Sequence, residues 1–131
     1  MKKIIILFMM IQTLNISFVN GTQLIGKFSQ ETVSGNTTSY TPLYIISDNQ
    51  NYTSGGLTFT YPGDLFSIPP VVQISVQQNT PHANDIAYVA EISANDPTAT
   101  TVMVYQISAG VVSQAPTNSI AVNLFAITDC P

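Results

Sequence analysis

The sequence predicts an all-β chain, and three observations carry that prediction. Apolar side chains recur at every second position over much of residues 68–127, which is the repeat of a half-buried strand. Turn signals rich in Asn, Asp, Pro and Gly separate these runs at the spacing of a sandwich. No segment sustains a helical period. The expected architecture is a small antiparallel β-sandwich.

The first residues stand apart from that pattern. Met1-Lys2-Lys3, the apolar run Ile4 to Ile11 and the polar-interrupted stretch to Gly21 have the layout of a secretory signal peptide, cut near Gly21-Thr22. The run is too short for the roughly 20 residues that cross a bilayer as a helix. Residues 1–21 are therefore expected to be removed, leaving a secreted protein with no membrane attachment. Residues 22–56 read as an N-terminal strand or arm with a linker, and 57–131 as the sandwich core, one domain together with parts of 22–56.

In the arm, Leu24, Ile25 and Phe28 mark a first strand, and Ser34 to Ser39 is a turn-rich link. Thr41-Pro42 opens an extended segment, because Pro pushes its predecessor out of the helical region, and Leu43 to Ile46 is a strand. Asp48 to Asn51 and Ser54-Gly55-Gly56 bracket a loop. Leu57, Phe59 and Tyr61 then share one face. Ile68-Pro69-Pro70 launches a strand whose Val72, Ile74 and Val76 oppose Gln73, Ser75 and Gln77, prolines being tolerated at a strand start.

Gln78 to Asp85 is the longest polar loop, after which Ile86, Tyr88, Ala90 and Ile92 share a face. Ala94 to Pro97 is a tight turn. Thr100 to Ile107 is apolar on both faces, as expected of a strand covered on both sides. Ser108 to Asn118 reads as a loop, and Ile120 to Ile127 is a last strand, again apolar on both faces. Strands with two apolar faces and few guarding charges predict a symmetric homo-oligomer, since a thin sandwich has one inner face per sheet.

Charge narrows the function. Charged residues make up 8% of the chain and hydrophobic ones 45%. Two of the three basic residues, Lys2 and Lys3, lie in the leader, so only Lys27 would remain. Phosphate backbones are held by clustered Lys and Arg, which excludes a nucleic-acid partner, and anionic membranes are disfavoured for the same reason. Cys130 is alone and penultimate, so it forms no intrachain disulfide and reads as a free thiol on a tail or a link between subunits.

No constellation fixes a reaction. His82 has Asp85 three residues on, but a nucleophilic set needs an oriented His beside an activated Ser and no nucleophile elbow is present. One His and one Cys far apart do not make a zinc site. Asp48 with Asn49 and Asn51, Asn84 with Asp85, and Asn95 with Asp96 lack calcium-loop spacing and read as turn residues. No enzyme, metal or cofactor is expected. Asn36-Thr37-Thr38 and Asn51-Tyr52-Thr53 are N-glycosylation sequons, meaningful at Asn36 and Asn51 if export follows a eukaryotic route. Tyr52 and Tyr105 are the candidates to stack on a sugar, core packing being an even alternative for Tyr52, whereas Tyr61 and Tyr88 belong to inward faces.

From Leu57 to Ile127 the order of signals resembles the H-type lectin domain and related phage tail-fibre C-terminal domains. The residues are Thr58-Phe59, Phe66 to Val72, the polar loop, the strand ending at Ile92-Ser93, Thr101 to Tyr105, and Val122-Asn123-Leu124-Phe125-Ala126-Ile127. The resemblance implies a sandwich assembled as a homotrimer, with sugars held near loop ends between protomers. By position it nominates His82, Asn84, Asp85 and Tyr105 as carbohydrate-binding residues. The chain departs from the family in having no Trp, and no Arg in its mature body. The expectation is a secreted, non-enzymatic protein that recognises carbohydrate or a cell-surface partner through loops at subunit boundaries. The alternative is a structural subunit of a particle or fibre.

Overall fold

The computed structural model describes residues 17–19, 23–79 and 85–128. They form β1 (Ser17–Val19), β2 (Gln23–Ser34), β3 (Thr37–Asn51), β4 (Leu57–Thr60), β5 (Val71–Gln78), β6 (Ile86–Asn95), β7 (Ala99–Ser108), β8 (Val111–Gln114) and β9 (Ile120–Ile127). A larger sheet runs β1-β2-β3-β9-β5 and a smaller one β4-β7-β6, with β8 pairing β7. All pairings are antiparallel. Strands β1 to β3 all lie outside residues 57–131, the stretch expected to be the core. Even so, β3 is an interior strand between β2 and β9. The end of the expected leader, Ser17–Val19, pairs with Gln23–Ile25 at the sheet's flank.

The period-2 pattern puts one row of each strand into a shared core. Ile46, Val122, Leu124 and Ala126 come from the larger sheet, and Leu57, Phe59, Val102 and Val104 from the smaller. Burying each of the larger of these side chains contributes about 1.5–3 kcal/mol. The two sheets thus close over one another as a sandwich-like pair. Strand β7 shows the alternation most plainly: Thr100, Val102 and Val104 are fully buried, while Thr101, Met103, Tyr105 and Ile107 lie on the other face and are half-exposed.

Two polar groups of side chains tie the ends of the pair. The Tyr61 hydroxyl is hydrogen-bonded to Thr100 Oγ1, which donates to Asn95 Oδ1 at 2.7 Å, and Asn95 Nδ2 donates to the Pro70 carbonyl at 2.9 Å. Tyr61 also packs edge-on against Phe66, with ring centroids 5.0 Å apart. Elsewhere the buried Asp48 carboxylate accepts from Gln50 Nε2 at 2.9 Å and Gln23 Nε2 at 3.3 Å. Burial of polar groups is tolerated where such bonds replace water.

Two expectations are revised. Asp48 to Asn51, anticipated in a loop, continue β3 because they pair with β9, Asp48 opposite Leu124 and Asn49 opposite Asn123. The stretch Ser108 to Asn118, also anticipated as a loop, contains β8, which pairs Val111–Gln114 with Tyr105–Ser108.

The β2–β3 hairpin outgrows the sandwich. Among the described strands, β3 pairs with β9 only from Ile45 to Asn51, and its earlier residues have β2 alone as neighbour. Thr128 N donates to the Tyr44 carbonyl at 3.0 Å, the last tie to the body on that side. Beyond it every residue from 32 to 42 is exposed. The turn at Gly35-Asn36 has a positive φ of 62° at Gly35, as in two-residue hairpin turns with Gly first. At about 3.4 Å per residue, residues 37–44 carry the ribbon roughly 27 Å.

Candidate functional site

The residues nominated from the sequence do not converge on a site. His82 and Asn84 lie outside the described residues. Asp85 is exposed just before β6, one position from the Ile86–Ser108 pair. Tyr105 sits further along β7, opposite Val89, about three residues or ~10 Å from that end of the strand. Its hydroxyl donates to Glu91 Oε1 at 3.1 Å. That hydrogen bond, and secondly the carboxylate's charge, raise the Tyr105 pKa by stabilising the protonated phenol. Tyr52, the other aromatic nominated for stacking, is fully buried. Its backbone N donates to Ile120 O at 2.9 Å and its carbonyl accepts from Asn118 N at 2.8 Å, which draws the ring into the core.

The sequons occupy different places. Asn36 is exposed at the ribbon tip, and Asn51 is exposed at the end of β3, where its Oδ1 accepts from Asn79 Nδ2 at 3.0 Å. Asp96 behaves as its turn composition suggests: Oδ1 accepts from Thr98 N at 2.7 Å, Thr98 Oγ1 at 2.6 Å and Ala99 N at 2.9 Å. Among the described residues, no three His, Cys, Asp or Glu side chains gather where a metal ion would sit, and no helix is long and apolar enough to cross a membrane.

The chemistry-bearing surfaces are the outer faces of the sheets. On the smaller sheet, cross-strand register sets Ala87, Ile107 and Val112 in one row, Val89, Tyr105 and Gln114 in the next, and Glu91 beside Met103 in a third. Val89 and Val112 are 51% and 63% exposed. This is a largely apolar face whose one charge, Glu91, is engaged by Tyr105.

On the larger sheet, Ser47, Phe125 and Gln73 form one row across β3, β9 and β5, and Asn49, Asn123 and Ser75 the next. Asn49 Nδ2 donates to Asn123 Oδ1, and Asn123 Nδ2 to Ser75 Oγ at 3.5 Å. Between the rows lies a groove of about 220 Å³, lined by Ser47, Gln73, Ile74, Ser75, Asn123, Leu124 and Phe125. No sequence signal marks these residues as a site. The alternation that places Asn123 and Phe125 opposite Leu124 was legible, but their partners on β3 depended on a strand read as a loop.

Comparison with family models, with curated proteins and with solved structures gives no match.

Proposed function

We propose that this chain is an exported, non-enzymatic β-sandwich that works as a homo-oligomer, with the β2–β3 ribbon of one copy lying against another. The ribbon carries this reading. A free two-stranded hairpin is marginal in water, yet this one keeps Val33 (42% exposed) and Tyr40 (63% exposed) at its surface, with no third strand beside them among the described residues. A second copy would supply the missing surface. The apolar outer face of the smaller sheet is a suitable acceptor, with Val89, Met103, Tyr105, Ile107 and Val112 in adjoining rows. The outer strands favour the same reading, because β5 contains no charged residue and no Pro, and β6 only Glu91, whereas monomeric sheets guard such edges with charge or Pro.

A homotrimer is the assembly that the resemblance to H-type lectins supports. Within this reading the task is structural, as in the subunit of a particle or fibre. Carbohydrate recognition is the second reading, favoured by the polar groove beside Phe125. The mass of the processed protein in solution, measured by light scattering, tests the first. A closed multimer is expected, and Val33→Lys, Tyr40→Asp or Val112→Lys should shift it toward monomer with an unchanged β-type circular dichroism spectrum. A wild-type chain that stays monomeric up to hundreds of micromolar overturns it.

A further inference from the structure

We infer that the groove on the outer face of the larger sheet is a binding site for a neutral carbohydrate ring. This inference rests on the carbohydrate reading above and deepens it, and it is independent of the assembly reading, which concerns the ribbon and the other sheet. Phe125 is 42% exposed although it belongs to β9, an interior strand flanked by β3 and β5. An aromatic ring held open on such a strand presents an apolar platform that needs little ordering when a ligand arrives. The apolar row Ile45, Ile127 and Val71 lies beyond it, with Val71 54% exposed, and extends that platform away from the polar residues.

The other side of the ring is polar and uncharged. The chain of bonds from Asn49 through Asn123 to Ser75 fixes the side-chain amides, and the Ser75 hydroxyl, an acceptor from Asn123, keeps its own proton to donate. Ser47 and Gln73 make no side-chain hydrogen bond to other described residues and flank Phe125 on either side. The groove therefore offers donors and acceptors together next to an aromatic face. That combination fits a sugar, whose ring has an apolar C–H face and hydroxyls that both give and accept. The lining contains no ionisable side chain, and Asp48, the nearest acid along β3, points inward and is 5% exposed. The site thus selects neutral over charged ligands. At about 220 Å³ it is smaller than the roughly 300–1,000 Å³ of pockets for drug-sized molecules, a fit for one ring of a glycan whose remaining units stay in solvent. A dry contact with a second copy fits less well, because it would strip water from Asn49, Ser47 and Gln73 without replacing it.

The test uses the full processed chain titrated into the millimolar range with glucose, galactose, mannose, N-acetylglucosamine and N-acetylgalactosamine, followed by amide chemical shifts. At least one sugar should move the resonances of Ser47, Gln73, Ser75 and Phe125. Phe125→Ala and Ser75→Tyr, the second filling the groove from an exposed strand position, should each weaken that binding about tenfold or more, with thermal midpoint and oligomer mass unchanged. Three results overturn the inference: no response to any of the five sugars, binding that survives both substitutions, or variants that lose oligomer mass instead of sugar binding. The last would make this face an interface between copies. A monomeric wild type that still binds sugar through the groove would refute the assembly reading alone.

Discussion

Thr100 has no exposed surface, and its single hydroxyl serves two neighbours, accepting from Tyr61 and donating to Asn95. Thr100→Val keeps the shape and removes the oxygen, leaving a buried phenol without an acceptor. Burial already raises the Tyr61 pKa. The expected loss is about 1–3 kcal/mol, read as a lower urea midpoint, with Thr100→Ser recovering much of it. Asp96 makes the opposite kind of prediction, because three donors converge on its Oδ1 and hold its pKa below the ordinary value of 3.8. A carboxyl with a depressed folded-state pKa adds stability that is complete above its unfolded pKa and lost as pH falls through the folded one. Asp96→Asn should therefore lie below wild type in denaturant midpoint at neutral pH, the gap closing as the solution is acidified past the normal aspartate range. The turn role of Asp96 was legible from Asn95-Asp96-Pro97, because Asx side chains act locally. The partnership of Tyr61 with Thr100 was not, since it joins residues 39 positions apart.

The hairpins show where a strand pattern is sufficient and where it fails. Strand β5 was readable because it alternates over its 8 residues, β6 because Ile86, Tyr88, Ala90 and Ile92 alternate with their neighbours, and β7 as an apolar run with both faces apolar. Strand β8 has only 4 residues with no alternation, and its existence depends on the turn before it. That turn places Ala109 at φ 50° and Gly110 at φ 77°, two left-handed residues in a row, as a tight hairpin with the right twist demands. Gly accepts this freely, whereas Ala is disfavoured by its Cβ. Ala109→Asn should raise stability by about 1 kcal/mol, because Asn enters the left-handed region more readily, seen as a higher thermal midpoint with the fold intact. The polar end of β3 failed for a different reason. Asn49 and Asn51 look like turn residues until the register sets Asn49 beside Asn123 on an outer face, where amides bond to one another across strands.

Across the whole molecule, the sequence announced two layers and most inward positions: Val72, Ile74 and Val76 pack against the core, and Phe59 and Tyr61 are buried as their alternation required. It also announced that Thr100 to Ile107 and Ile120 to Ile127 would be apolar on both sides. It gave no indication of which sheet each strand joins, because sheet order is settled by long-range pairing, and the Phe125 groove exists only once β3, β9 and β5 lie side by side. Strand β3 belongs at once to the ribbon and to the interior of the larger sheet, pairing through Ile45–Asn51 with β9. A pull on the ribbon along its axis is thus delivered lengthwise into that ladder, where the β3–β9 hydrogen bonds are loaded in shear and share the tension together instead of opening one after another like a zip. If copies are joined by their ribbons, the chain that reaches out is also the one best anchored to resist being drawn away.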